Sequence, residues 1–325
     1  MEEKFLEERI YEEGRENPVL FWENLAKKLF WFRPWRTPFL HNPPYVQWFV
    51  GAKTNITVNI FEKNIAGWDN IKEEIALIWE PESPGEDPKK ITYQELFEKV
   101  NKLSNALFSL GIKRGDRVAI LLPPLPELII SILACARIGA VYSILSPFLP
   151  AESIKERLNL MEAEFLIISD GARYRGEIIE LKREADSILM FTKVKKVVVV
   201  NRFGKKVDWI GERDNWYEEI IKAQKKFFQP TEIEAEEPFL IITKTHPRSK
   251  ITPILHTLGG FLVQSFWTSR WLFNLKPKDT IFGYGDFSWI FIHNFSIYYP
   301  LLFGATTLIF EGDPLWPINN RWLEI

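Results

Sequence analysis

Short apolar runs alternate with stretches of helical period along most of this chain, and that alternation restricts the fold class. Residues 117–122, 141–145, 165–168 and 197–200 are nearly all apolar, as strands are when both faces of their sheet are covered. Helical patterns lie between them at 128–138, opened by Pro126, at 151–161 and at 177–189. Upstream, Thr92 and Glu95 have the spacing of a capping box. Leu96, Phe97, Val100, Leu103 and Leu107 then recur at helical spacing until Gly111 stops the run. Further strands are expected from Phe239, over 280–283 and over 306–310, with a helix around 258–272. Strand, helix and strand in repetition predict an α/β chain with parallel pairing and helices on both sheet faces.

At 325 residues the chain suits one large domain or two smaller ones. Apolar residues make up 46% and charged residues 26%, the balance of a soluble globular protein. A net charge of −2 argues against a nucleic-acid partner, which needs a strong positive field. The single cysteine, Cys135, fits a reducing compartment, and its apolar neighbours predict burial. The start, Met1-Glu2-Glu3-Lys4, has no apolar leader core, so a cytoplasmic location is expected. Residues 251–269 and 287–310 lack Lys, Arg, Asp and Glu, yet Pro253, Gly259, His293, Pro300 and Gly304 interrupt them, so no membrane partner is expected. Plentiful Lys and Glu with three Met and one Cys resemble the usage of thermophilic proteins.

Residues 238–257 have the outline of a phosphate-binding loop without its glycines. Phe239 begins an apolar strand, a polar loop follows, and a helix is expected from about His256. Backbone N–H groups at such a place would face an anion. Glycine is what lets a backbone approach so closely, and none occurs between Thr243 and Ile254.

This block sits within a longer pattern. Trp31-Phe32-Arg33-Pro34-Trp35, Trp48-Phe49-Val50-Gly51, Ala76-Leu77-Ile78-Trp79-Glu80, Gly115-Asp116-Arg117-Val118, Leu255-His256-Thr257 and Gly304-Ala305-Thr306-Thr307 carry it. With these segments the chain resembles the AMP-forming acetyl-CoA synthetases and short-chain acyl-CoA synthetases, among the adenylate-forming enzymes. The resemblance implies layered βαβ subdomains like that family's N-terminal large domain, with the mobile C-terminal domain absent beyond Ile325. It divides the chain into an N-terminal extension over 1–90, a first α/β subdomain over 91–235 and a partial second one over 236–325. The family's cofactors are ATP, magnesium and coenzyme A; none is expected to be retained here.

Three site segments depart from the family pattern. Over the phosphate loop, His246, Ser249 and Pro253 replace glycines while Lys250 is kept. Lys244, Arg248 and Lys250 form either a rearranged anion site or, as the favoured reading, a solvated basic loop. Over the acyl pocket, Trp289 is kept while Ile290 and Phe291 are bulkier than the family's residues and Ile292 replaces a glycine. Trp289 and His293 are expected to be packed core. On the coenzyme A side, Ser146-Pro147-Phe148-Leu149 replaces a glycine-rich turn. Arg175 matches an arginine that approaches the nucleotide part of coenzyme A, and stands equally as an anion contact or a surface charge.

The leading expectation is therefore a protein that is non-catalytic alone, a structural or regulatory subunit. Its partner would be itself or a full-length acyl-CoA synthetase paralogue, with Trp267, Trp271, Trp316 and Trp322 at the interface. One half of a split ligase completed by a partner chain, and a nucleotide or coenzyme A sensor without turnover, are the alternatives.

Overall fold

The computed structural model describes residues 10–245, 250–317 and 321–325. The strands of its two principal sheets are, in chain order, β1 (Ile75–Glu80), β2 (Lys89–Thr92), β3 (Arg117–Leu121), β4 (Val141–Ile144), β5 (Phe165–Ser169), β6 (Lys196–Val200), β7 (Asp214–Trp216), β8 (Pro238–Thr245), β9 (Ile251–Thr257), β10 (Thr280–Phe282) and β11 (Thr306–Phe310). The helices that matter for the site are α1 (Pro18–Ala26), α2 (Tyr93–Ser109), α3 (Pro126–Ile138), α4 (Ala151–Leu160), α5 (Leu181–Leu189) and α6 (Leu258–Phe273).

Seven strands form one sheet in the order β7-β6-β5-β3-β4-β8-β9, parallel as far as β8, with β9 antiparallel at the edge. The second sheet runs β10-β11-β1-β2; its first three strands are parallel and β2 closes it antiparallel. The large sheet draws on both sides of residue 235, since β8 joins the strands of 117–216, and the second sheet joins segments from either end of the chain, since β1 lies beside β11. One apolar core fills the space between the sheets, α2, α3 and α6, and a second lies under α4 and α5.

Local chemistry sets the element ends. Thr92 Oγ1 accepts from Glu95 N at 3.2 Å and the Glu95 carboxylate accepts from Thr92 N at 2.9 Å, completing the capping box of α2. Pro126 opens α3, whose side chains are almost all buried, and Gly139 ends it in the left-handed conformation. Cys135 lies inside α3, where burial pushes its thiol up to about 12.

The N-terminal part wraps this core. Asn55 Nδ2 donates to the carbonyls of Ala136 and Thr231 at 3.0 Å. The fully buried Arg137 meets Glu62 at 2.5 Å. Trp22 and Phe21 pack against Trp271, and Trp267 donates to Leu25 O, so these two C-terminal tryptophans are half-buried against α1.

The helix expected over 177–189 begins only at Leu181. Glu177–Ile179 pairs instead with Ala172–Tyr174. Arg175 (φ 51°) and Gly176 (φ 79°) form a two-residue turn with both residues left-handed, which suits a tight hairpin. Among the described residues no helix is long and apolar enough to cross a membrane.

Candidate functional site

The chain passes from β3 to β4 on one side of the large sheet and then returns to β5 on the other. Such a reversal leaves a crevice at the carboxyl ends of the strands, where open α/β sheets bind ligands. A cavity of about 200 Å³ lies there. Leu122 and Pro124 follow β3 and line it, together with the end of β4 from Ile144 to Phe148. The second sheet contributes Tyr284 to Phe287 after β10, and Phe310 and Gly312 at the end of β11. Carboxyl ends of four parallel strands from two sheets thus converge on one cleft.

The coenzyme A segments named from the sequence meet at this cleft. Phe148 and Tyr174 both line it, with ring centroids 5.1 Å apart. Arg175 adjoins Tyr174, and its Nε donates to Asp313 at 2.6 Å while much of the side chain stays in solvent. That carboxylate raises the Arg175 pKa; for Asp313, burial works the other way, but Leu315 N–H and Arg175 outweigh it and the carboxyl is lowered.

Beneath them the completely buried Glu82 carboxylate accepts from the backbone N–H groups of Arg175 (2.7 Å), Gly176 (2.8 Å) and Asp313 (2.9 Å). Gly312 (φ 111°) passes so close to Glu82 that a side chain there would collide with it. Tyr284 titrates up at about 12, through burial first and then Asp313. Glu82, Asp313, Asp286 and Tyr284 were not legible as site residues. The partners of Glu82, Asp313 and Tyr284 lie far away in sequence, Asp286 accepts from the nearby Ser288 N–H, and no spacing announces any of them.

The phosphate segment is built as a hairpin. β8 and β9 pair as far as Thr245↔Ile251, so the expected polar loop shrinks to 246–250, and Pro253 sits within an edge strand. Helix α6 starts at Leu258, at the opposite end of the seven-residue β9, roughly 20 Å from Ile251 at ~3.3 Å per residue. Its first N–H groups donate to Glu237 O and Ala235 O. The helix N-terminus expected beside the loop is therefore elsewhere.

Lys244 and Lys250 are both exposed, whereas Arg248 lies outside the described residues. Lys244 and Thr245 are neighbours on a strand and leave by opposite faces. On the Thr245 side, Arg157 of α4 donates to the hydroxyl at 3.0 Å. Arg157 is 7% exposed and, among the described residues, pairs with no carboxylate; burial lowers its pKa, offset by Glu156 and Asp286. Among the described residues no group of three or more His, Cys, Asp or Glu is placed to hold a metal ion.

The acyl segment divides. Ile292 is buried, and its Cδ1 would stand 2.9 Å from a side chain placed on Gly285, so it fills that glycine's open face. Ile290 packs against the core. Phe291, however, is 47% exposed, and Trp289 is 61% exposed, contrary to the packed position expected for it. Trp289 lies just ahead of the four-residue helix Ile290–His293 and turns outward. His293 is completely buried and stacks on Tyr142 at 5.7 Å. Its ring nitrogens meet no hydrogen-bond partner of normal geometry, and burial drives its pKa down to about 3, so it is neutral. Tyr142 and Tyr298 share a buried hydrogen bond of 2.7 Å beside it.

Residues 67–325 match the family described as AMP-binding enzyme, and residues 7–60 match the one described as Acetyl-coenzyme A synthetase N-terminus. The chain belongs to the AMP-binding enzyme family. It is 38% identical to the acetyl-coenzyme A synthetase of Rubrobacter xylanophilus over 97% of this chain and 49% of that one. It is 35% identical to that of Chlorobaculum tepidum over 98% and 48%. Its fold matches acetoacetyl-CoA synthetase from Streptomyces lividans with a TM-score of 0.83 at 24% identity, over 93% of this chain and 46% of that chain. The chain spans about half the length of the curated relatives it matches. Both the family resemblance and the α/β fold read from the sequence agree with these matches.

Proposed function

We propose that this chain is an acetyl-CoA synthetase-like subunit that does not form acyl adenylates on its own and serves a structural or regulatory role in an acyl-CoA synthetase assembly. The phosphate hairpin carries this reading. Adenylation transfers AMP to a carboxylate and expels pyrophosphate, and donors aimed at the reacting phosphate in advance supply much of the rate. Each donor removed from a comparable anion hole costs about 10²–10³. Here the loop lacks glycine, Pro247 and Pro253 supply no N–H, and α6 starts at the far end of β9. Ile292, filling the space beside Gly285, supports the same reading. Purified chain incubated with ATP, acetate and coenzyme A is expected to release no AMP above background. Acetate-dependent AMP release would overturn the proposal.

A second reading is one half of an AMP-forming ligase completed by another chain. The cleft at the carboxyl ends of β3, β4, β10 and β11, and the guanidinium of Arg175 beside it, favour this alternative. AMP release appearing only after a partner chain is added would select it. Calorimetry with coenzyme A, ATP and AMP separates both from a sensor that binds without turnover.

A further inference from the structure

The cleft at the carboxyl ends of β3, β4, β10 and β11 has the wrong charge for a polyphosphate. Among the described residues that line it there is no Lys, Arg or His, and Asp286 brings the one carboxylate. Arg175, at its edge, is already paired with Asp313. Arg157 feels the Asp286 charge but bonds Thr245 and Ser153 O instead. Asp286 forms no ion pair among the described residues, and its Oδ1 accepts from Ser288 N at 2.8 Å. An anionic ligand in this cavity would meet a like charge with no cation on the wall to offset it.

Five aromatic rings make up much of that wall. Phe148, Tyr174 and Tyr284 are 39–47% exposed, whereas Phe287 and Phe310 are buried. The centroids of Phe148 and Tyr174 lie 5.1 Å apart, and those of Tyr284 and Phe310 6.5 Å. The face of such a ring carries partial negative charge and attracts a cation within about 6 Å of its centroid. Tyr174 already does so within the chain, since Arg175 Cζ lies 5.6 Å from its ring.

We infer that this cleft binds a small organic cation with a quaternary ammonium head, held by the rings of Phe148, Tyr174 and Tyr284 with Asp286 as the counter-charge. A methylated head keeps its full charge yet has no N–H to satisfy, which suits a wall with few acceptors. The cavity of about 200 Å³ is smaller than the about 300–1,000 Å³ of pockets for drug-sized ligands, so it admits a compact head rather than a nucleotide. The inference goes beyond the subunit reading and does not depend on it, because it concerns binding without turnover.

Ligand-observed NMR on the purified chain tests it, with choline, neohexyl alcohol and pyrophosphate as probes. Choline is expected to bind, and neohexyl alcohol, its uncharged carbon isostere, at least about tenfold more weakly. Pyrophosphate should not displace choline. Tyr284→Leu should weaken choline by about tenfold, whereas Tyr284→Phe, which keeps the ring, should restore it. Asp286→Asn retains an acceptor for Ser288 N–H; it should weaken choline and spare the isostere, and it gives an independent variant if Tyr284→Leu melts early. No choline binding, equal affinity for choline and its isostere, choline binding indifferent to Asp286→Asn, or displacement of choline by pyrophosphate would each overturn the inference. AMP release is measured separately, so the subunit reading stands or falls apart from this result.

Discussion

Lys182 lies completely inside the protein between two carboxylates. Its Nζ meets Asp186 at 2.6 Å and Asp214 at 3.0 Å, and Arg213 closes the group by contacting both carboxylates. Two cations and two anions balance, and Asp208 O and Ile210 N satisfy further positions. Breaking such a group leaves an uncompensated buried charge. Lys182→Met should therefore cost about 3–5 kcal/mol in urea unfolding. Burial alone would raise the Asp214 pKa, but Arg213, Ile210 N–H and Lys182 outweigh it and hold the carboxyl below its usual range. A lowered folded-state pKa stabilises above the unfolded value of about 3.9. That contribution is lost as the pH falls through the folded-state value. Melting curves from pH 7 down to pH 2 should show this acid loss in the parent and a smaller one in Asp214→Asn.

The β8–β9 hairpin shows how one side chain sets the state of an element. Arg157 bonds Thr245 in the last pair of the ladder before the connecting residues, 88 positions away in sequence. Arg157→Ala should raise amide exchange at Thr245 and Ile251 by about tenfold, the worth of one charge-assisted bond, and leave Leu240 and Ile241 protected. Elements were legible in the sequence where neighbours along the chain define them, as with the Thr92–Glu95 box, Pro126 and the stop at Gly111. The strand β9 was not, because Pro253 reads as loop and only an edge position tolerates it. The Arg175–Gly176 turn hid inside an apparent helix, since nothing local announces two left-handed residues in succession. At the cleft, Ser146 to Phe148 and Arg175 were singled out through resemblance. Arg157 and Glu82 escaped, because the contacts that define them join distant segments. Trp289 shows the same limit from the other side: its type suggested core, whereas its place ahead of a short helix turns it outward.

Across the whole molecule, Glu82 ties the second sheet to the Ala172–Tyr174/Glu177–Ile179 hairpin beside the cleft. One carboxylate following β1 holds the Arg175–Gly176 turn of one hairpin and the backbone after β11. Glu82→Ala would take the acceptor from the N–H groups of Arg175, Gly176 and Asp313, the last of them buried, and should lower stability by about 3 kcal/mol. Urea unfolding checks the size, and tyrosine fluorescence from Tyr174 and Tyr284 should report cleft loosening before global unfolding. The second sheet has a further consequence during synthesis. β1 pairs on one side with the nearby β2 and on the other with β11, and Thr306 Oγ1 bonds Ile75 O across 231 positions. At roughly 5–20 residues per second on the ribosome, the nascent strand waits on the order of 10–45 s for that neighbour. Throughout that interval the early segment emerges with half its ladder unmade, so shielding of the newborn chain is built into the order in which it is translated.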